Sequence, residues 1–134
     1  MLRGRVGLKL MICSALAAAL AAVPAVAHHS YTMFDLAKES TLSGTVAEFQ
    51  WTAPHAWIEL NVPARKGAAE VWSIEGMSPN YLARRGWNRY SLKPGDKVSI
   101  VIHPLKDGSR GGTVVRVIMP DGRVLDQHGQ NGQS

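Results

Sequence analysis

The sequence has 134 residues, 46% of them hydrophobic, with fifteen Lys and Arg against ten Asp and Glu. A chain of this length forms one small domain rather than two. Its single cysteine excludes an internal disulfide framework and redox dithiols, so the stability of the fold must come from an apolar core.

Residues 1–27 have the pattern of a secretory signal peptide. Basic residues precede an apolar run over 10–23, and Ala25-Val26-Ala27 satisfies the small-x-small cleavage rule. The run is short for a membrane span, so we favour cleavage over a retained anchor. We therefore expect a mature start at His28, a periplasmic location and no membrane span after processing. Cys13 lies inside the signal, which leaves no cysteine for catalysis or metal binding in the mature domain.

Removal of the signal also lowers the net charge. Three of the fifteen basic residues lie in it, so the remaining 107 residues carry twelve basic and ten acidic side chains, a net charge near +2. A domain this close to neutrality gives no electrostatic basis for binding nucleic acid. We predict a small envelope ligand or a periplasmic protein as the partner, and no nucleic acid.

The first predicted strand is long and bent. It begins at Thr41, after a lead-in over 28–40 that is expected to lack regular structure. The apolar parity of Leu42 and Val46 then switches to that of Phe49. One inserted residue moves every later side chain to the other face, so this switch beside a glycine predicts a bulge or sharp bend.

The second strand alternates between an inner and an outer face. The outer face carries Trp57 and Glu59. A hairpin loop then leads to a third strand, Glu70 to Glu75, with Trp72 and Ile74 pointing inward. The inner face of the second strand is formed by Ala56, Ile58, Leu60 and Val62.

One helix signal follows the third strand. Ser78 suits the N-cap, Pro79 the first helical position and Gly86 a left-handed C-terminal stop, which predicts about two turns of helix. Pro94-Gly95 predicts a type II turn. The remaining predicted elements are a strand over Lys97–His103, a glycine-rich loop over 106–112, a strand over Thr113–Met119, a short strand over Arg123–Leu125 and a disordered tail over 127–134.

The order of three strands, a short helix and two or three further strands predicts a mainly β fold. This order of elements, within about 100 residues, matches the small five- to six-stranded Greek-key barrel called the OB-fold, here over 41–126. The bent first strand fits the same fold because it can pair in two sheets. An open meander or a sandwich is the alternative.

OB barrels bind ligands over strands 2 and 3, between the loop that joins strands 1 and 2 and the loop that joins strands 4 and 5. We therefore expect His55 and His103 to lie near each other at one end of the barrel. An aromatic platform beside imidazole and cationic groups indicates a binding surface, although the same residues could simply pack against the barrel end. The candidate ligand-binding residues are His55, Trp57, Glu59, His103, Lys106 and Arg110.

A second hypothesis concerns the new N-terminus. Cleavage before His28 would expose an amine that can chelate a metal together with the imidazole, and imidazole ligands suit copper or zinc. His29 follows directly, and a closed site would need His55 or His103 to join. Cu or Zn is therefore a possible cofactor, with these four histidines as the candidate ligands.

The catalytic motifs with strong sequence signatures are missing. We find no nucleophile elbow, zinc-protease helix, P-loop or dinucleotide fingerprint. Glu59 and Glu75 share the outward parity of strands 2 and 3, but solvated strand faces commonly carry such residues. We expect a protein that is not an enzyme.

The chain resembles a family of small exported bacterial proteins that share a domain of unknown function. The match spans nearly all of the mature chain, and it implies the domain limits and the export signal but no activity. In architecture the chain is also similar to periplasmic bacterial OB-fold proteins. The stretches that carry the family resemblance are His28-His29-Ser30-Tyr31, Glu48-Phe49-Gln50-Trp51-Thr52, Pro54-His55-Ala56-Trp57-Ile58-Glu59, Ser73-Ile74-Glu75-Gly76, Ser78-Pro79-Asn80, Gly86-Trp87, Leu92-Lys93-Pro94-Gly95-Asp96-Lys97-Val98 and His103-Pro104-Leu105-Lys106-Asp107-Gly108.

Together these features predict an exported, non-enzymatic binding or accessory domain. The alternatives are a copper or zinc protein that uses its mature N-terminus, and a structural module that assembles with a protein partner.

Overall fold

A computed structural model describes residues 31–128. The predicted signal peptide, His28, His29 and residues 129–134 lie outside this range. The described chain forms six strands and one helix, preceded by a 3-10 turn over Tyr31–Met33. The elements are β1 (Ser40–Gln50), β2 (Trp57–Val62), β3 (Glu70–Glu75), α1 (Pro79–Ala83), β4 (Lys97–Pro104), β5 (Gly111–Ile118) and β6 (Val124–Asp126). Within residues 31–128 no helix has the length and apolarity needed to cross a bilayer.

The strands close into a barrel. Their order in the sheet is β3-β2-β1-β4-β5-β6, and an additional pairing joins β3 to β5. That pairing is parallel and runs from Ser73 opposite Gly111 to Glu75 opposite Thr113, whereas the other pairings are antiparallel. Five strands therefore form a closed ring with β6 as an extra strand, which confirms the OB-type barrel and rules out the open meander.

β1 serves both halves of the barrel, as predicted. Its first part pairs with β4 from Ser40 to Thr45, and its second part pairs with β2 as far as Gln50. The register with β2 shifts between Val46 and Glu48, so the residue between them is the bulge that switches the parity.

The core is built from the inward residues of every long strand together with α1. Ile58 and Leu60 of β2 are buried. Trp57, the first residue of β2, is partly exposed, as the predicted alternation of inner and outer residues requires. Trp72 packs against the core from β3. The side chains with almost no exposure are Val46, Ile58, Leu60, Ile74, Leu82, Ile100, Ile102, Val114 and Val117.

α1 starts where its cap predicts but is shorter than expected. The Ser78 hydroxyl accepts a hydrogen bond from the backbone N–H of Tyr81 at 3.3 Å, and Pro79 occupies the first turn. The helix has five residues, and the chain leaves it through Gly86 at φ 85°. Gly95, at φ 94°, has the left-handed backbone that a type II turn requires.

The lead-in is more structured than its sequence suggests. Besides the 3-10 turn, Phe34 forms an isolated bridge with Leu105 and is only 6% exposed. The expectation of an irregular lead-in was wrong because backbone hydrogen bonds attach the segment to the end of β4, where the Asp35 N–H donates to the Pro104 carbonyl at 2.8 Å, and because burial removes the Phe34 ring from water.

The predicted tail also begins too early, because Gln127 is completely buried. Its side-chain carbonyl accepts from the Met77 N–H at 2.9 Å, and its amide donates to the Val114 carbonyl at 2.9 Å. A buried amide with both ends bonded is part of the core, so the domain extends past the predicted limit at residue 126. The last strand also lies one residue later than predicted, at Val124–Asp126.

Replacing Gln127 by alanine should lower the free energy of unfolding by about 1–3 kcal/mol, because the Met77 N–H and the Val114 carbonyl would stay buried without their partners. Urea denaturation measures the loss. His128→Ala, one residue further at an exposed position, is the control and should change stability by less than about 0.5 kcal/mol. Equal stability of the two variants would show that Gln127 belongs to the tail after all.

The bend of β1 requires a glycine. A Cβ at Gly44 would lie 2.4 Å from the Asn61 carbonyl oxygen, and backbone atoms cannot move aside cheaply. Gly44→Ala should therefore destabilise the protein by about 1–3 kcal/mol in the same denaturation experiment. Thr41→Ser, at an exposed position of the same strand, should stay within about 0.5 kcal/mol of the parent. If Gly44→Ala does not change the free energy of unfolding, β1 and β2 can move apart at this point without destabilising the fold.

Candidate functional site

The candidate site lies on the outer face of β2 and β3, where the two strands run side by side. Trp57 lies opposite Glu75, and Glu59 lies opposite Ser73. The Ser73 hydroxyl donates a hydrogen bond to the Glu59 carboxylate at 2.7 Å. We call this surface, together with His55 from the β1–β2 loop, the β2–β3 face: His55, Trp57, Glu59, Ser73 and Glu75.

The central contact of the β2–β3 face joins His55 to Glu75. Nδ1 of the imidazole is hydrogen-bonded to the Glu75 carboxylate. The Glu75 side chain is 11% exposed and the His55 side chain 36%. An ionised carboxylate can only accept, so Nδ1 carries a proton in this pair, and in the neutral imidazole Nε2 keeps a free lone pair.

Backbone bonds hold the two residues in place. The Ala56 N–H donates to the Met77 carbonyl at 3.1 Å, and the Gly76 N–H donates to the Ala56 carbonyl at 2.8 Å. Within the loop, the Thr52 hydroxyl donates to the His55 carbonyl at 3.1 Å. The end of the β1–β2 loop is therefore fixed to the segment that follows β3, which limits how far His55 can move.

The N-terminal 3-10 turn reaches the same end of the barrel. The Tyr31 hydroxyl donates to the Met77 thioether sulfur. Burial is the main reason that the pKa of Tyr31 is raised, and the nearby charges of Glu75 and Tyr81 raise it further. Tyr81 in turn stacks under the Arg85 guanidinium, 3.6 Å from the ring centre. Residue 31 thus lies at the end of the barrel that carries Glu75, in contact with Met77.

The other predicted residues have their own partners. Arg110 forms an ion pair with Glu70 at 2.8 Å on the rim of the barrel. The backbone N–H of Lys106 donates to the Met33 carbonyl at 3.0 Å, and its side chain is exposed. Both residues belong to the β4–β5 connection, as expected, and Arg110 directly precedes β5.

His103 has a different hydrogen-bond partner from His55. Its Nδ1 is hydrogen-bonded to the Lys38 carbonyl at 2.8 Å. In the sheet register, His103 lies opposite Thr113, and Thr113 lies opposite Glu75. Two strand spacings, about 10 Å, therefore separate the backbone of His103 from that of Glu75. β5 thus lies between the strand that carries His103 and the strand that carries Glu75, and a ligand contact shared by His55 and His103 stays a prediction.

The described residues do not hold a complete metal site by themselves. Between Tyr31 and His128, no group of three or more His, Cys, Asp or Glu side chains could hold a metal ion. The candidate ligands His28 and His29 lie outside the described residues, so their role stays a prediction.

Tyr31 and Met77 are not among the residues that the sequence predicts for the site, and the sequence pattern predicts Glu75 only as a solvated outward residue. A correct prediction of the β2–β3 register would have identified Glu75 as the partner of His55, because that register puts Glu75 opposite Trp57, two residues after His55. Nothing in the local pattern identifies Tyr31 or Met77, since their contact spans 46 residues.

Two open grooves lie elsewhere on the surface. One, of about 510 Å³, is lined by Gly44, Val98 and Met119, and the other, of about 480 Å³, by Tyr90, Lys93 and Arg123. Neither includes a residue of the β2–β3 face, and their linings lack a paired acid and imidazole.

Comparison with solved structures gives a match to the crystal structure of Rim1, a mitochondrial single-stranded DNA-binding protein from S. cerevisiae. The match has 11% sequence identity and a TM-score of 0.45, and it covers 67% of this chain and 95% of that chain. No curated protein matches the sequence.

The family comparison covers most of the chain. A family model described as a family of unknown function, DUF6152, matches residues 16–115. The matched range contains the whole β2–β3 face and most of β5. The chain therefore belongs to the DUF6152 family.

Proposed function

We propose that this protein is an exported, periplasmic, non-enzymatic binding domain whose ligand surface is the β2–β3 face. The observation that supports the proposal is the hydrogen bond on that face between the buried Glu75 carboxylate and the partly exposed imidazole of His55. A carboxylate withdrawn from water needs such a partner, and the partner imidazole leaves a ring nitrogen on the exposed side for a ligand.

The position on the fold supports the same function. OB barrels bind over strands 2 and 3, and the β2–β3 face lies there. Trp57 supplies a partly exposed apolar ring, while Glu59 and Ser73 supply polar groups at the next register position. Flat aromatic surface beside a few fixed polar groups suits a small ligand.

The composition of the face favours a small ligand over a protein partner. A stable protein interface buries about 800 Å² on each partner and concentrates aromatic anchors at its centre. The β2–β3 face offers one such ring, Trp57, with Val71 as the exposed apolar neighbour on β3.

The hydrogen bonds support binding rather than catalysis. The Ser73 hydroxyl donates to Glu59 and not to His55, so these residues do not form a nucleophile-histidine-acid relay on the described face. His55 is instead held by a carboxylate, as an oriented binding group would be.

Replacing Trp57 by alanine should abolish ligand binding without unfolding the domain, because the ring is only partly buried. The assay is a thermal shift of the processed protein against low-molecular-weight fractions of periplasmic extract. A ligand at a hundred times its Kd stabilises the parent by about 2.7 kcal/mol, which is a rise of roughly 10 °C or more in Tm. Trp57→Ala should lose this shift and keep a similar Tm in buffer.

Tyr90→Ala is the matched control, since Tyr90 is an aromatic residue that is 73% exposed and lies outside the face. It should keep the full shift. The proposal fails if Trp57→Ala retains the shift or if no fraction stabilises the parent protein. Crosslinking in cells that captured one fixed protein in place of a small ligand would make the domain an assembly module.

A further inference from the structure

We propose that the groove beside Lys97 binds an elongated monocarboxylate, with the carboxylate at Lys97 and an apolar body along β5 and β6. The groove has a volume of about 510 Å³, which is within the usual range for small-molecule sites. It shares no residue with the β2–β3 face, so this inference is independent of the function proposed for that face. We call it the Lys97 groove, and its lining residues are Ser43, Gly44, Thr45, Pro63, Lys97, Val98, Ser99, Ile118, Met119 and Pro120.

One row of residues crosses four strands along the Lys97 groove. Ser43 of β1 lies opposite Ser99 of β4, and Ser99 lies opposite Ile118 of β5. Ile118 lies opposite Val124 of β6, which is 46% exposed and extends the row. Because Ser99 alternates with the buried Ile100 along β4, the row faces outward. It therefore changes from hydroxyl groups to apolar side chains over three strand spacings, about 14 Å, which suits an elongated ligand.

The polar end of the groove offers hydrogen-bond donors. The hydroxyl oxygens of Ser43 and Ser99 are 2.9 Å apart, so one hydroxyl donates to the other and the second keeps its hydrogen for a ligand. Thr45 lies opposite Lys97 on the same two strands, and the lysine ammonium can only donate. None of the described lining residues is acidic. This end of the groove is therefore complementary to an anion.

The protein does not neutralise the charge of Lys97. Within residues 31–128 its ammonium has no acidic partner. Asp96 directly precedes it, but that carboxylate accepts from the Lys93 N–H at 2.9 Å. Asp121, in the turn after β5, is paired with Arg123 at 2.6 Å. A single lysine balances the one charge of a carboxylate, whereas a phosphate monoester carries about two charges at neutral pH.

The other end of the groove is apolar, so a bare anion would not fill it. Ile118 is partly exposed, and Pro120 after β5 is exposed. Pro63 adds apolar surface from the connection between β2 and β3. A ligand with an apolar body removes this surface from water, which favours binding. The two ends together fit an aliphatic or aromatic monocarboxylate.

The experiment titrates the processed protein with sodium octanoate, below the concentration at which octanoate forms micelles, and follows the backbone amide signals by NMR. We expect saturable shifts of Ser43, Ser99 and Ile118 with one octanoate per chain. Acetate lacks the apolar body and should bind at least about tenfold more weakly. Octanol lacks the charge and should bind about fivefold more weakly or less tightly still.

Lys97→Met keeps a long side chain and removes the charge, so it should weaken octanoate binding by about fivefold or more. Lys38→Met is the matched control. Lys38 is an exposed lysine beside Ser40, at the other end of the β1–β4 pairing, and its substitution makes the same change of net charge. It should keep the parent affinity. Val124→Asp, at an exposed position, puts a negative charge at the apolar end and should weaken octanoate by about tenfold.

The orientation of the ligand can be measured in the parent protein without any variant. Nuclear Overhauser contacts should join the octanoate methyl group to Ile118 or Val124, and the methylene beside the carboxylate to Lys97.

The inference is overturned if octanoate does not saturate one site, if acetate or octanol binds as tightly as octanoate, or if Lys97→Met keeps the parent affinity. Contacts in the reverse orientation would overturn it as well. Binding to phosphatidylglycerol vesicles that requires Lys97, without binding of free octanoate, would assign the groove to a membrane surface instead. None of these outcomes bears on the Trp57-dependent shift, so the function proposed for the β2–β3 face stands or fails separately.

Discussion

The parallel pairing of β3 with β5 is the constraint on which the rest of the structure depends. It covers three residue pairs, from Ser73 to Glu75, and it turns a curved sheet into a closed ring. Closure also fixes the β3 end of the candidate site, because the Glu75 carbonyl is bonded to the Thr113 hydroxyl while its carboxylate is bonded to His55. The same short contact therefore stabilises the barrel and orients an ionisable pair on its surface.

Three distant parts of the chain meet at that pair: the N-terminal 3-10 turn, the β1–β2 loop and the segment after β3. Each is held by a few specific bonds, of which the Ala56–Met77 backbone bond and the Tyr31–Met77 side-chain bond are central. Such an arrangement makes a rigid site from irregular segments, because the barrel supplies the fixed backbone to which they attach.

Much of the fold could be predicted from the sequence because its signals are local. The alternation of β2, the parity switch after Val46 and the Ser78 cap each depend on residues within a few positions of one another. The burial of Gln127, the docking of Tyr31 and the pairing of His55 with Glu75 depend on contacts between segments that are distant in the sequence. Local patterns contain no information about such contacts. The sequence therefore predicts the β1–β2 loop and the outward Trp57 ring of the candidate site, but not Glu75 as the partner of His55.

The buried amide of Gln127 has a consequence for the order in which the protein can form. The backbone N–H of Met77 is satisfied by a side chain 50 positions further along the chain. A chain emerges from its N-terminus during synthesis, so Met77 gains this partner only after residue 127 has emerged. The end of the barrel that carries His55 can therefore gain its full set of hydrogen bonds only when translation of the domain is nearly complete.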